Sequence, residues 1–221
     1  MKRILYFCYR DWAIDIFERL HYEGNMAIVT VPPDMLPVSQ TRTTVNTDRQ
    51  QFKLNPKNNK LFRLLIESYK PDTLVFVGWS WMIPKDIVDK YTCLCLHPSA
   101  LPKFKGGTPI QNQLLYQAMN CGTTLFQMTN KGIDTGPIYE KRIFRRNRTI
   151  NKYFLQIKEH SLNALQAYLN MCNFSDYLPI KMDGRCRKTY TRITAEIIDG
   201  LTSNQIIDDL DKMQKLHPIK W

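Results

Sequence analysis

His97 ends a short apolar run, Cys93-Leu94-Cys95-Leu96, and opens the stretch Pro98-Ser99-Ala100-Leu101-Pro102-Lys103-Phe104-Lys105-Gly106-Gly107-Thr108-Pro109. Asp134 stands further on, within Lys131-Gly132-Ile133-Asp134-Thr135-Gly136-Pro137. An imidazole and a carboxylate that can orient it are the minimal pair for general acid–base chemistry on an amine or an alcohol. Taken singly, the histidine reads equally as a satisfied structural residue and the aspartate as an ordinary turn residue between glycines. Chemistry gains the advantage only if separate loops converge on one place.

Strand alternation puts Cys93, Cys95 and His97 on one side and Leu94 and Leu96 on the other. Pro98 stops the ladder, because proline donates no hydrogen bond and fixes its own φ. His97 is therefore placed at the C-terminal end of a strand, where open α/β sheets bind ligands. Three further loops are expected on that rim: Tyr9-Arg10-Asp11, Gly78-Trp79-Ser80-Trp81 and the Asp134 turn. No metal is expected, since alternate strand positions lie about 7 Å apart and no second Cys/His pair follows at ligand spacing.

Gly106-Gly107-Thr108-Pro109 has two readings: a tight turn, or backbone N–H groups brought close to an anion at a helix start. Its spacing is not that of a phosphate-binding P-loop, and the first strand is not followed by a dinucleotide fingerprint, so ATP and NAD are poor candidates. The run Gly78-Trp79-Ser80-Trp81-Met82-Ile83-Pro84 likewise has two readings. Its tryptophans either plug the sheet edge or wall a pocket for a flat heteroaromatic ring.

The elements that must position these residues alternate between short β-branched or aromatic runs and longer runs of helical period. Strands are expected near residues 3–8, 26–31, 73–77 and 93–96, with helices near 12–21, 59–69, 84–90 and 109–119. Residues 32–56, polar and rich in Thr, Asn and Gln, read as a long loop. Residues 123–128 and 137–144 read as the last strands, the second antiparallel, and residues 150–172 as a long packing helix. A small hairpin over 181–198 turning at Asp183-Gly184, then a helix over 203–216 capped by Ser203, complete the chain. The expected architecture is a Rossmann-like α/β fold: an open, mostly parallel twisted sheet with helices on both faces. Residues 1–175 form the catalytic domain and 176–221 a small hairpin-helix extension.

The 221 residues suffice for one full core. No apolar run approaches the roughly 20 residues that span a bilayer, and the N-terminus lacks a signal-peptide pattern, so a cytoplasmic protein is expected. Six cysteines, Cys8, Cys93, Cys95, Cys121, Cys172 and Cys186, sit mostly in apolar runs and read as buried thiols in a reducing compartment. The net charge of +11 favours anionic partners. Its clusters at 141–148 and 181–188 do not interleave aromatics in an RNA-binding pattern, so a solvated surface is preferred to a nucleic-acid face.

These motifs resemble those of the folate-dependent formyltransferases, the group containing glycinamide ribonucleotide, methionyl-tRNA and nucleotide-sugar N-formyltransferases. The family pattern is Asn-x-His-Pro-Ser-x-Leu-Pro, a Gly-rich loop and Asp-x-Gly-Pro. It reads here as Cys95-Leu96-His97-Pro98-Ser99-Ala100-Leu101-Pro102, Gly106-Gly107 and Asp134-Thr135-Gly136-Pro137. The resemblance spans about residues 1–170 and implies N10-formyltetrahydrofolate as donor, its pterin held by Trp79, Ser80, Trp81, Met82, Ile133 and Asp134. It further implies that an amine attacks the formyl carbon, that His97 and Asp134 handle protons, and that an Asn stabilises the oxyanion. Here Cys95 occupies the Asn position. Ser99, backbone N–H groups or the Gln111-Asn112-Gln113 cluster are the substitutes considered; the alternative is a folate-binding relative with little or no catalysis.

Within the family, the residues left after the long helix are too few for the barrel domain of the tRNA-specific members, and the first loop lacks the glycines of the glycinamide ribonucleotide members. Tyr9-Arg10-Asp11-Trp12-Ala13 and Val77-Gly78-Trp79-Ser80 resemble the nucleotide-sugar group instead. The expected acceptor is thus an amino sugar, nucleotide-linked, with Arg10, Lys103, Lys105, Gly106 and Gly107 contacting its phosphates. A homodimer built through the C-terminal hairpin is the expected assembly.

Overall fold

The computed structural model describes residues 1–36, 44–174, 177–182 and 188–217. Its elements run β1 (Ile4–Phe7), α1 (Asp11–Arg19), β2 (Met26–Thr30), a 3-10 turn (Pro33–Met35), β3 (Gln51–Lys53), α2 (Asn59–Tyr69), β4 (Thr73–Val77), α3 (Lys85–Lys90) and β5 (Thr92–His97). There follow α4 (Pro109–Leu115), β6 (Asn120–Gln127), β7 (Ile138–Arg145), α5 (Ile150–Met171), α6 (Ala195–Asp199) and α7 (Asn204–Leu216). The strands form one sheet in the order β3-β2-β1-β4-β5-β6-β7. The first five are parallel. This is the expected open α/β architecture.

Both faces of β1, β2, β4 and β5 are largely buried, which is why those strands read as apolar runs. Alternation divides each of them. Ile4, Tyr6, Ile28, Val75, Val77, Leu94 and Leu96 enter the core under α1, α4, α5 and α7. Leu5, Phe7, Ala27, Val29, Leu74, Phe76 and Cys93 enter the core under α2 and α3. Asn58 caps α2 by accepting from Leu61 N at 3.0 Å, and Ser203 caps α7 by accepting from Ile206 N at 3.5 Å, as its position before the helical period predicts.

Three expectations are corrected. Residues 32–56 are not one loop: they include the 3-10 turn and β3, which pairs with β2 through Ile28 and Gln51. A three-residue edge strand with one inward apolar side chain, Phe52, leaves no alternation to detect. The sheet reverses at β6, not at the strand after it: β6 is antiparallel to β5, and β7, antiparallel to β6, runs with the parallel set again.

The C-terminal hairpin is also replaced. Its expected turn at Asp183-Gly184 lies outside the described residues, and Ala195–Asp199 is helical. The described flanks pair elsewhere, Ile180 with Ile138 and Tyr190 with Gly106. Ile193, Leu210 and Met213 join the main core, so the C-terminal stretch is packed onto the α/β unit. No helix among the described residues is long and apolar enough to cross a membrane.

Phe7 links the sheet to the loop after β4. It is fully buried, with ring centroids 4.7 Å from Phe76, 5.3 Å from Phe62 and 5.6 Å from Trp79. Phe7→Ala is expected to lower unfolding free energy by about 3–5 kcal/mol in urea titration. A loss below about 1 kcal/mol would show that this aromatic stack does not anchor the rim.

Candidate active site

β5 carries Cys95 and His97 on one face and ends at His97. The chain then turns sharply: Ser99 N donates to His97 O at 2.8 Å, and Ser99 Oγ donates to Lys103 O at 2.7 Å. Thr124 Oγ1, on the neighbouring β6, donates to Ser99 O at 2.7 Å and accepts from Leu101 N at 3.1 Å. The Leu101–Pro102 peptide is cis. Phe104, Gly106 and Thr108 follow with φ of 55°, 104° and 42°.

These turns aim the backbone at both proposed acid–base groups. Phe104 O accepts from His97 Nε2 at 2.9 Å, and Gly106 N donates to Asp134 Oδ2 at 2.8 Å. His97 Nδ1 lies 3.4 Å from the same Oδ2, with the two side chains only 7% and 15% exposed. A carbonyl oxygen can only accept, so Nε2 carries a proton. The neutral ring therefore turns the Nδ1 lone pair toward a carboxylate, and a proton arriving at Nδ1 makes an ion pair there. The arrangement is built to receive a proton.

Asp134 does not reach His97 along the rim. Because β6 is antiparallel, its last residue, Gln127, lies opposite Leu94, and Met128 N donates to Cys93 O at 2.7 Å. The loop to β7 therefore starts at the N-terminal end of β5 and folds back to bring Asp134, with φ of 51°, to His97. Cys95 is half-buried between these arrivals. Burial, and then the charge of Asp134, push its thiol well above the usual range. Cys93 is pushed up to about 12 by burial alone and faces Ile87 O at 3.7 Å, in the core. Cys95 therefore enters any chemistry at neutral pH as a weak S–H donor, not a thiolate.

The loop after β4 divides between its two readings. Trp79 plugs the sheet edge: it packs on Phe7, Phe76 and Tyr9, and its buried Nε1 donates to nothing in the described residues. Trp81 leans on Tyr9 at 4.7 Å, and Ser80 Oγ lies 2.8 Å from Tyr9 Oη. Met82 and Ile133 are 84% and 57% exposed, so neither lies inside a closed pocket.

Of the residues expected to hold phosphates, Arg10 follows β1, and Lys103 and Lys105 lie on the loop after β5. Arg10 is buried at the end of β1, its guanidinium 4.9 Å from the centroid of the Tyr9 ring. Burial is the largest cause holding it below the usual guanidinium range; Tyr9 opposes that shift and nearby Arg192 adds to it. Lys103 is exposed and Lys105 half-buried on the loop after β5. Both amides of the glycine pair are already used: Gly106 N by Asp134, Gly107 N by Tyr190 O at 2.9 Å. The anion reading of that pair is thereby corrected. Gly107 is small because an added Cβ would come within 2.8 Å of Arg192 N.

The substitutes considered for the family Asn also have other work. Ser99 holds Lys103 O, Gln113 Nε2 donates to Pro98 O at 2.8 Å, and Asn112 Nδ2 donates to Gly107 O at 2.9 Å and Thr191 O at 3.0 Å. All are buried struts of the loop. Residues 188–193 were missed as part of this site, since their contacts to it are largely backbone ones that leave no residue-type signal. Among the described residues, no group of three or more His, Cys, Asp or Glu side chains is placed to hold a metal ion.

The raised thiol gives a direct test. At pH 8 an ordinary cysteine is substantially thiolate, whereas Cys95 stays protonated. Iodoacetamide that saturates a free cysteine at pH 8 should leave Cys95 unlabelled in the native protein and label it in urea, as read by peptide mass mapping. Labelling of native Cys95 at the free-thiol rate would refute the assignment.

Residues 24–165 match the family described as formyl transferase. The methionyl-tRNA formyltransferase of Dictyoglomus thermophilum is 26% identical over 88% of this chain and 66% of its own length. The chain spans about three fifths to two thirds of the curated methionyl-tRNA formyltransferases it matches over most of its length. Among solved structures, a sugar N-formyltransferase from Shewanella superposes with a TM-score of 0.70 at 16% identity, covering 95% of this chain and 87% of that one. HypX from Aquifex aeolicus in complex with tetrahydrofolic acid superposes with a TM-score of 0.68 at 18% identity, over 98% of this chain and 34% of that one. With the family match covering well over half its residues, this chain belongs to the formyl transferase family.

Proposed function

We propose that this protein moves a formyl group from N10-formyltetrahydrofolate to the free amine of an amino sugar, one linked to a nucleotide. The observation that carries the reading is His97 held between Phe104 O and Asp134, with Cys95 on the same strand face. Family membership and the fold shared with a tetrahydrofolate complex support the donor. A flat, polar-edged ring is supported by a half-buried Trp81, a Trp79 Nε1 buried with no partner among the described residues, and apolar Met82 and Ile133 left exposed. Trp79, Ser80, Trp81, Met82, Ile133 and Asp134 would hold that ring, and the donor supplies an activated formyl group.

His97 takes up at Nδ1 the proton that an attacking amine must lose, and Asp134 stabilises the imidazolium so formed. The same proton is then available to the departing nitrogen. Cys95 donates its S–H toward the developing negative oxygen, more weakly than an amide would, where a full donor is worth about 3–4 kcal/mol. Arg10, Lys103 and Lys105 give the acceptor side a positive field suited to a diphosphate. The likeness in fold to a sugar N-formyltransferase supports this acceptor. Residues 1–175 are proposed as the catalytic unit and 176–221 as its extension.

A methionyl-tRNA acceptor is the second reading, favoured by the curated relatives. Incubation with N10-formyltetrahydrofolate and a panel of nucleotide-linked 3- and 4-amino sugars, with methionyl-tRNA alongside, separates the two by the mass of the formylated product. A gain on a sugar is expected; a gain on methionyl-tRNA alone overturns the sugar reading. Folate binding with no product on any amine favours a non-catalytic relative.

In the same assay His97→Asn should lower kcat by about 10²- to 10⁴-fold. Cys95→Asn should hold or raise it. A fully active His97→Asn protein would overturn the mechanism.

A further inference from the structure

One loop sets both members of the acid–base pair. The carbonyl of Phe104 fixes His97 and the amide of Gly106, two residues on, fixes Asp134. Any shift of residues 104–106 therefore moves the imidazole and the carboxylate relative to each other. Two non-glycine residues of this loop, Phe104 and Thr108, hold left-handed backbone angles, so the conformation must be imposed from outside.

The outer side of the loop is covered by residues 188–193. Tyr190 N donates to Lys105 O at 2.8 Å and Gly107 N donates to Tyr190 O at 2.9 Å, the exchange that makes the parallel bridge to Gly106. Ile193 N donates to Thr108 Oγ1 at 3.0 Å, and Asn112 Nδ2 reaches both Gly107 O and Thr191 O. The Tyr190 ring packs at 4.9 Å from Phe104 and 5.3 Å from Tyr116, with the Lys188 ammonium 4.6 and 4.7 Å from the centroids of the Tyr116 and Tyr190 rings. An added Cβ at Gly106 would collide with the Tyr190 carbonyl oxygen, so the loop is shaped to admit this segment. The segment lies beyond the residues that match the family.

We propose that residues 188–193 are a positioning clamp for the His97–Asp134 pair, acting through Phe104 and Gly106, with the Tyr190 ring as its anchor. No residue of the clamp needs to touch substrate. The loop's other contacts run to His97 on β5, to β6, β7, α4 and Asp134, and residues 188–193 add the backbone bonds to Lys105 and Gly107.

The kinetic arm of the test rests on the formyl-transfer reading; the spectroscopic arm does not. Tyr190→Ala should lower kcat at least tenfold while KM for the formyl donor changes less than threefold, and Tyr190→Phe, which keeps the ring, should restore kcat. With four histidines in the chain, the His97 ring resonances are assignable by comparison with His97→Asn. In Tyr190→Ala they should move toward those of Asp134→Asn, and in Tyr190→Phe stay at the wild-type positions. Gly107→Ala, which crowds Arg192 N, should reproduce both effects if Tyr190→Ala does not fold. Wild-type His97 resonances in folded Tyr190→Ala or Gly107→Ala overturn the clamp. Shifted resonances in a protein that formylates nothing support the clamp and count against the proposed function alone.

Discussion

The chain after β5 passes through positive φ at Phe104, Gly106 and Thr108 within five residues, two of them at side chains that disfavour it by about 1–3 kcal/mol each. What the turn achieves is the simultaneous presentation of a carbonyl to His97 and an amide to Asp134. Much else in this half of the molecule braces that turn. Thr124 ties its start to β6, Lys141 Nζ reaches from β7 to Leu101 O at 2.7 Å, and Asn112 and Gln113 of α4 bond its backbone, while Gln111 Nε2 donates instead to His217 O at 3.2 Å. Burying Gln111, Asn112 and Gln113 on one helix is costly unless each is bonded; the side-chain nitrogen of each donates, while Gln111 and Gln113 each leave an oxygen unpaired.

The reversal of the sheet at β6 is the second constraint. A parallel strand would have delivered the next loop to the same rim as His97. The antiparallel strand delivers it to the opposite end, and the loop must return across β5 to place Asp134. That return buries Cys95 beneath a carboxylate. It also accounts for Gly136, where an added Cβ would collide with Gln127 O. His97 and Asp134, the proposed acid–base pair, are thus brought together from two directions, from a strand end and from a loop crossing that strand's face.

Legibility followed the length and polarity of each signal. The parallel strands stood out because burial on both faces makes their sequences continuously apolar, and α2 matched residue for residue because Asn58 caps it. β3 was invisible, with one inward side chain in three residues. His97 and Asp134 were legible as chemistry because histidine is rare here and glycines flank the aspartate. Gly106-Gly107 was ambiguous for a physical reason: a missing Cβ serves a phosphate and a crossing backbone equally well, and residue type cannot tell them apart. The contacts of residues 188–193 were illegible for a related cause, since backbone bonds such as Gly107 N to Tyr190 O, between segments far apart in the chain, carry no composition signal.

Cys95 bears most directly on how charge is managed at the site. An amide at that position would offer a strong neutral donor, whereas a thiol offers a weak one, and burial, reinforced by the neighbouring carboxylate, keeps it from compensating by ionising. The electrostatic burden then falls on His97. Once Nδ1 is protonated, the imidazolium lies beside Asp134 and Cys95 in a site that is mostly shielded from water, where a formal charge acts more strongly than in solvent. Under the proposed function, a site with a weak oxyanion donor depends more on the exact spacing of its ion pair than one with an amide. The firm bracing of residues 104–108 is the structural counterpart of that dependence.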